Sequence, residues 1–104
     1  MYRYQLLIEY EGSKFNGWQT QKKGKTIQKS VEMTLSKLLK SKIKLIGAGR
    51  TDAGVHAIEQ SAHFDIKKKI QNIDKTIKSL NFFLNSKMIS IIKIKKKNFN
   101  FHAR

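Results

Sequence analysis

Residues 47–57 read GAGRTDAGVHA and place one carboxylate, Asp52, between Arg50 and Gly54, with Thr51 and His56 close by. The setting is unusual, because the whole chain has 7 acidic residues against 22 Lys and Arg. So polar and glycine-rich a segment does not belong in a core, and it fits a constrained turn. Asp52 has two readings there. It can bond its own backbone as an Asx-turn acid, or it can be displayed as a reactive carboxylate, a nucleophile or a stabiliser of a developing cation. A surface built for polyanions should exclude an acid that performs no chemistry. Arg50 can pair with phosphate or with Asp52 itself. His56 and His63 read as structural or solvated, since a metal site needs more ligands than one nearby Asp and two His supply.

At 104 residues and a net charge of +15, the chain suits one domain with a polyanionic partner, nucleic acid first. Part of the Lys excess, which accompanies abundant Ile and Asn, also fits solvated decoration. With no Cys, disulfides and thiolate metal sites are excluded, and a reducing compartment is compatible. No apolar run reaches signal-peptide or membrane-span length, so the expected location is the cytoplasm, with no membrane contact. The lysines are scattered over every element instead of lining one helical face, which argues against a membrane-surface helix.

The positioning elements follow from periodicity. Residues 2–11 alternate as a strand, with Tyr2, Tyr4, Leu6, Ile8 and Tyr10 on one face. The segment GSKFNGWQTQKKGK then reads as a long loop of the kind that carries function. From Thr26, a candidate N-cap, Ile27, Val31, Leu35, Leu38 and Leu39 form a helical stripe, with Lys29 where a capping box would place an acid. A short strand is expected at 42–48, a third at 57–66, a helix at 70–84 and a fourth strand at 88–96. The order β-α-β-β-α-β predicts an α+β, ferredoxin-like domain with two helices on one face of an antiparallel sheet. On that layout the Asp52 segment connects strands two and three.

GRTDAGVHA, taken with EYEGSKFNGWQTQ upstream and LNFFL and FHAR downstream, resembles the bacterial tRNA pseudouridine synthase A family along the whole chain. The resemblance implies that Asp52 is the catalytic carboxylate and that Arg50 lies against the target nucleotide and helps to flip it. It implies conversion of uridine to pseudouridine at positions 38 to 40 of the tRNA anticodon arm, with no cofactor or metal, by a homodimer. The RNA-facing candidates are Arg50, Thr51, Lys14, Trp18 and His56. Phe15 and Trp18 can stack on bases, or can pack beside the glycine-rich segment, which is the commoner use. Against the family pattern, Glu11 stands for the acid of a YDG segment, Lys29 for a helix acid and Glu59 for a glycine. Family members also continue past FHAR into a second, similar half that supplies an active-site Tyr and much of the dimer contact. Residues 1–104 are therefore expected to be the N-terminal domain, one half of a pseudouridine synthase fold, and inactive alone.

Two readings from other classes compete. A non-catalytic RNA-binding module of the same β-α-β-β-α-β order would carry several exposed aromatics on its third strand, whereas AIEQSAHFDI has only Phe64. A basic structural protein of a ribonucleoprotein particle would account for the lysines but give Asp52 no purpose.

Overall fold

The alternation of the first ten residues decides the centre of the molecule. Tyr4, Leu6, Ile8 and Tyr10 are all buried, while Glu9 between them is exposed. In a computed structural model of the protein, residues 1–10, 27–47 and 57–101 are described, 57–59 for their backbone alone. The elements in chain order are β1 (Tyr2–Tyr10), α1 (Ile27–Leu39), β2 (Ile46–Gly47), β3 (Ala57–Ile66), α2 (Ile73–Leu84) and β4 (Ile89–Lys97). A short 3-10 turn, Asn85–Lys87, joins α2 to β4. The sheet order is β2-β3-β1-β4, with every pairing antiparallel. This is the expected ferredoxin-like α+β arrangement.

One face of the sheet is closed by the helices. Isolated, a 13-residue helix is marginal in water, so α1 depends on what it buries. Ile27, Val31 and Leu35 are solvent-free, and burying each is worth roughly 1.5–3 kcal/mol. Leu80 and Leu84 of α2 complete the layer against Ala62, Phe64 and Ile66 of β3 and Ile89, Ile91 and Ile94 of β4. A bulge in the β1–β4 ladder between Leu7 and Ile8 keeps both Ile91 and Ile94 on the inner face, three residues apart.

Two boundaries differ from the periodic reading. The strand expected at 42–48 has ladder pairing only at Ile46–Gly47 among the described residues. Its alternation is nevertheless correct, with Ile43 and Leu45 buried. The backbone before Ile46 is bonded by side chains of α1 instead of by a strand. Ser36 Oγ accepts from the Ile43 N–H at 3.0 Å and Glu32 Oε2 from the Leu45 N–H at 2.7 Å, while Gln28 Nε2 donates to the Leu45 carbonyl at 3.1 Å. The second helix begins at Ile73, not at residue 70, because Asn72 caps it by accepting from the Lys75 N–H at 3.0 Å. Ile70 is buried just ahead of the cap, and its N–H donates to the Tyr4 hydroxyl at 2.9 Å.

Glu32 thus carries a loop that would otherwise lack a partner for a backbone donor. Glu32→Ala is expected to destabilise the fold by about 1–3 kcal/mol, the cost of an unsatisfied group of this kind. The amide of Leu45 should then exchange with solvent faster than that of Leu6, as hydrogen exchange would report. Asn81 does similar work at the other edge: its amide donates to the Ile91 carbonyl at 3.1 Å and accepts from the Ile91 N–H at 2.6 Å. That pair fastens α2 to β4.

Candidate nucleic-acid interface

The face of the sheet away from the helices is a polar, strongly basic grid. Residues opposite one another in an antiparallel ladder share a face, so the register gives three rows: Asp65–Arg3–Lys97, His63–Gln5–Lys95 and Ser61–Leu7–Lys93. Ile46 adjoins His63 from β2. Lys93 and Lys95 are exposed, whereas His63 is buried at 1% exposure and meets the Phe101 ring edge-on at 6.1 Å. His63 is therefore structural, one of the two roles its sequence context allowed.

One end of the grid is locked by Arg3. Its Nε and Nη2 donate to the two carboxylate oxygens of Asp65 at 2.8 and 3.0 Å, a bidentate fork. Its Nη1 donates to the carbonyls of Phe99 and Phe101 at 2.9 and 2.6 Å. The 98–101 turn, closed by the Phe101 N–H donating to the Asn98 carbonyl at 2.9 Å, is thereby folded back onto the sheet. The Lys97 ammonium lies 5.2 Å from the Phe101 ring centre. Among the described residues, Arg3–Asp65 is the salt bridge with a separation in sequence that crosses the domain.

The hydrogen bonds from Arg3 hold the Asp65 carboxyl below its ordinary value of 3.8, with a smaller contribution from Arg3's charge. A carboxylate whose folded value is depressed stabilises the fold above its unfolded value, and that contribution is lost as pH falls through the folded value. Acid unfolding below pH 3.8 should accordingly be less steep in Asp65→Asn than in the parent, as denaturant midpoints measured between pH 2 and 6 would show.

The segments that carry the candidate residues attach at the other end of the sheet. Tyr10 pairs with both Ala57 and Ile89, and β2 runs toward that same end. The exit of β1, the exit of β2 and the entry of β3 therefore lie together. Segments 11–26 and 48–56, far apart in sequence, are both attached there. The candidates within them, Lys14, Phe15, Trp18, Arg50, Thr51, Asp52 and His56, lie outside the described residues, as do the proposed cap Thr26 and His102 to Arg104 of FHAR. Among the described residues, no group of three or more His, Cys, Asp or Glu is arranged to hold a metal, and no helix is long and apolar enough to cross a membrane.

Phe64 separates the two RNA-linked readings. It is buried at 1% exposure between sheet and helices, its ring stacked 5.8 Å from that of Tyr4. From Gln60 to Ile66, β3 thus presents no aromatic ring to solvent, which removes the feature an RNA-recognition module of this topology needs.

Comparison with known proteins agrees with the enzyme reading. A family model described as tRNA pseudouridine synthase matches residues 6–104. The chain belongs to the tRNA pseudouridine synthase family. Within it, the chain is 65% identical over 104 residues to tRNA pseudouridine synthase A of Pelagibacter ubique (strain HTCC1062), covering 100% of this chain and 42% of that protein. It is 43% identical over 105 residues to tRNA pseudouridine synthase A of Anaplasma marginale (strain Florida), covering 98% and 42%. It is 39% identical over 104 residues to tRNA pseudouridine synthase A of Maricaulis maris (strain MCS10), covering 100% and 41%. The chain thus spans well under half the length of these curated relatives. The family stretch includes both segments attached at the Tyr10 end of the sheet. It also includes Asp65, Phe99 and Phe101, whose joint dependence on Arg3 no local sequence signal announces.

Proposed function

We propose that this chain is the N-terminal, Asp52-bearing domain of a cytoplasmic tRNA pseudouridine synthase that acts on uridines 38 to 40 of the anticodon arm, as a homodimer in full-length form. The observation that carries this reading is the family match over residues 6–104, which takes in the Asp52 segment. The common attachment of segments 11–26 and 48–56 at one end of a sheet whose outer face carries Lys93, Lys95 and Lys97 supports it.

The chemistry asked of Asp52 is modest in parts. The bond from ribose C1′ to N1 of uracil breaks, the base turns, and C1′ joins C5. A proton then leaves C5 while N1 gains one, so the atoms balance and no oxidant or reductant is consumed. A carboxylate serves as nucleophile or as the counter-charge to an electron-poor C1′. The target base must first leave its stack, at a cost of a few kcal/mol. Arg50, two residues from Asp52, is assigned to fill the vacated space and pair with phosphate. Thr51, Lys14, Trp18 and His56 are assigned to the surrounding RNA contact.

The test follows from the fate of the C5 proton. Anticodon-arm RNA tritiated at uridine C5 should release tritium to water only when a uridine stands at positions 38 to 40. The 104-residue chain alone should bind this RNA without turnover, since more than half of each relative's length lies beyond the matched stretch. Tritium release by the 104 residues at the rate of a full-length relative would contradict the assignment of a second, required half.

RNA affinity of the chain should also fall steeply with salt, because each neutralised phosphate releases counterions. Lys95→Ala should lower the logarithmic salt slope by about one at most. A flat salt response would return the lysines to surface decoration.

A further inference from the structure

The 98–101 turn contains a feature the catalytic assignment does not use. Phe99 is 54% exposed, yet it is not loosely held. Its carbonyl accepts from Arg3 Nη1 at 2.9 Å, and the Arg3 guanidinium carbon sits 5.4 Å from its ring centre. The guanidinium cannot swing away, because Asp65 holds two of its nitrogens and the Phe101 carbonyl accepts a further bond. An exposed ring is not unusual in itself, and Phe82 and Phe83 are exposed too. Phe99 is fixed against a cation and still half open to solvent, beside the Lys93, Lys95 and Lys97 face of β4.

We propose that Phe99, clamped by Arg3, is a stacking platform for an unpaired base of the bound RNA. The physical match suits nucleic acid. Every base has a π-face that stacks on an aromatic ring regardless of sequence, and a neighbouring basic groove takes the phosphates. An acidic protein segment would use the lysines but would leave a planar, cation-backed ring without a planar partner. The guanidinium fixes the ring before the base arrives, so little ordering is left for binding to impose. Arg3 acts here as a positioning residue, and Phe99 makes the contact.

The platform lies at the opposite end of the sheet from the Asp52 segment. Arg3 and Tyr10 are seven positions apart on β1, roughly 24 Å at the rise of an extended strand. The RNA would thus be gripped at two places, by stacking at the Phe99 end of the sheet and by base extrusion at the end where the Asp52 segment attaches. This inference rests on the reading of the chain as RNA-binding, but it does not depend on Asp52 being catalytic.

The experiment compares two polyanions on the 104-residue chain: a 12-nucleotide single-stranded RNA carrying 2-aminopurine, and inorganic polyphosphate, which has charge but no bases. Phe99→Ala should weaken RNA binding about 5- to 160-fold, the range of one base–aromatic stack, and should abolish the quenching of 2-aminopurine. Its affinity for polyphosphate should stay within twofold. Phe99→Trp should restore RNA affinity. Arg3→Lys, which keeps the charge and loses the fork, should weaken RNA more than polyphosphate. Equal losses on both polyanions, no loss in Phe99→Ala, or no RNA binding by the parent would each overturn the proposal. Turnover dependent on Asp52 would be unaffected by any of these results as evidence for the catalytic reading, so the two can fail separately. The melting temperature of Phe99→Ala, expected to match the parent at so exposed a site, separates lost contact from lost fold.

Discussion

Asp52→Asn should abolish pseudouridine formation and leave the thermal transition almost unchanged. The measurement needs a protein of full length, and residues 1–104 joined to the remaining length of the Pelagibacter ubique relative are the one to test, given 65% identity across the joined stretch. Asn keeps the size of Asp and most of its capacity to bond a turn. It lacks the negative charge and the nucleophilic oxygen pair. If Asp52 serves the reaction, tritium release should vanish while RNA affinity and melting persist. If Asp52 only holds its own loop, the amide should support turnover, or the transition should drop with it. If Arg50 assists extrusion of the base, Arg50→Ala should reduce turnover less on RNA whose target uridine is already unstacked, because that step is then partly done.

The second large effect is structural and falls on Phe64. Phe64→Ala should cost about 3–5 kcal/mol, the usual range for removing a fully buried aromatic ring. A domain of this size holds only about 5–15 kcal/mol in total, so the variant should sit near the edge of folding at 37 °C. Denaturant titration would read it as a lowered midpoint with an unchanged slope. The size of the loss also bears on function. An aromatic poised on an open sheet for base contact would give up little stability when truncated. A loss under about 1 kcal/mol would therefore place Phe64 at the surface.

Much of the scaffold was legible because its rules are local. Period-two alternation fixed which side of β1 is core, and β3 was found at its observed limits, Ala57–Ile66. The second helix was overextended because Ile70 keeps helical spacing with Ile73, while the Asn72 side chain ends the run by bonding Lys75. The strand at 42–48 showed the right alternation for a different cause: its backbone partners are Glu32, Ser36 and Gln28, which a pairing rule does not look for. The site divides the same way. A glycine-bracketed acid in a basic chain is visible as composition. The Arg3 cluster is not, since it joins residues 62 and up to 98 positions apart and uses backbone carbonyls that have no residue type to recognise.

The sheet order has a consequence for how the chain is made. β1 is synthesised well before either of its neighbours: β3 begins at Ala57 and β4 at Ile89. At a synthesis rate of about 5–20 residues per second, roughly 2–10 s separate the completion of β1 from the start of its first neighbour. During that interval a nine-residue strand with one apolar face has both edges unpaired in the nascent chain. The newborn polypeptide is thus exposed to chaperone capture and to aggregation on polysomes at the YRYQLLIEY stretch, before any of the lysines of β4 exist.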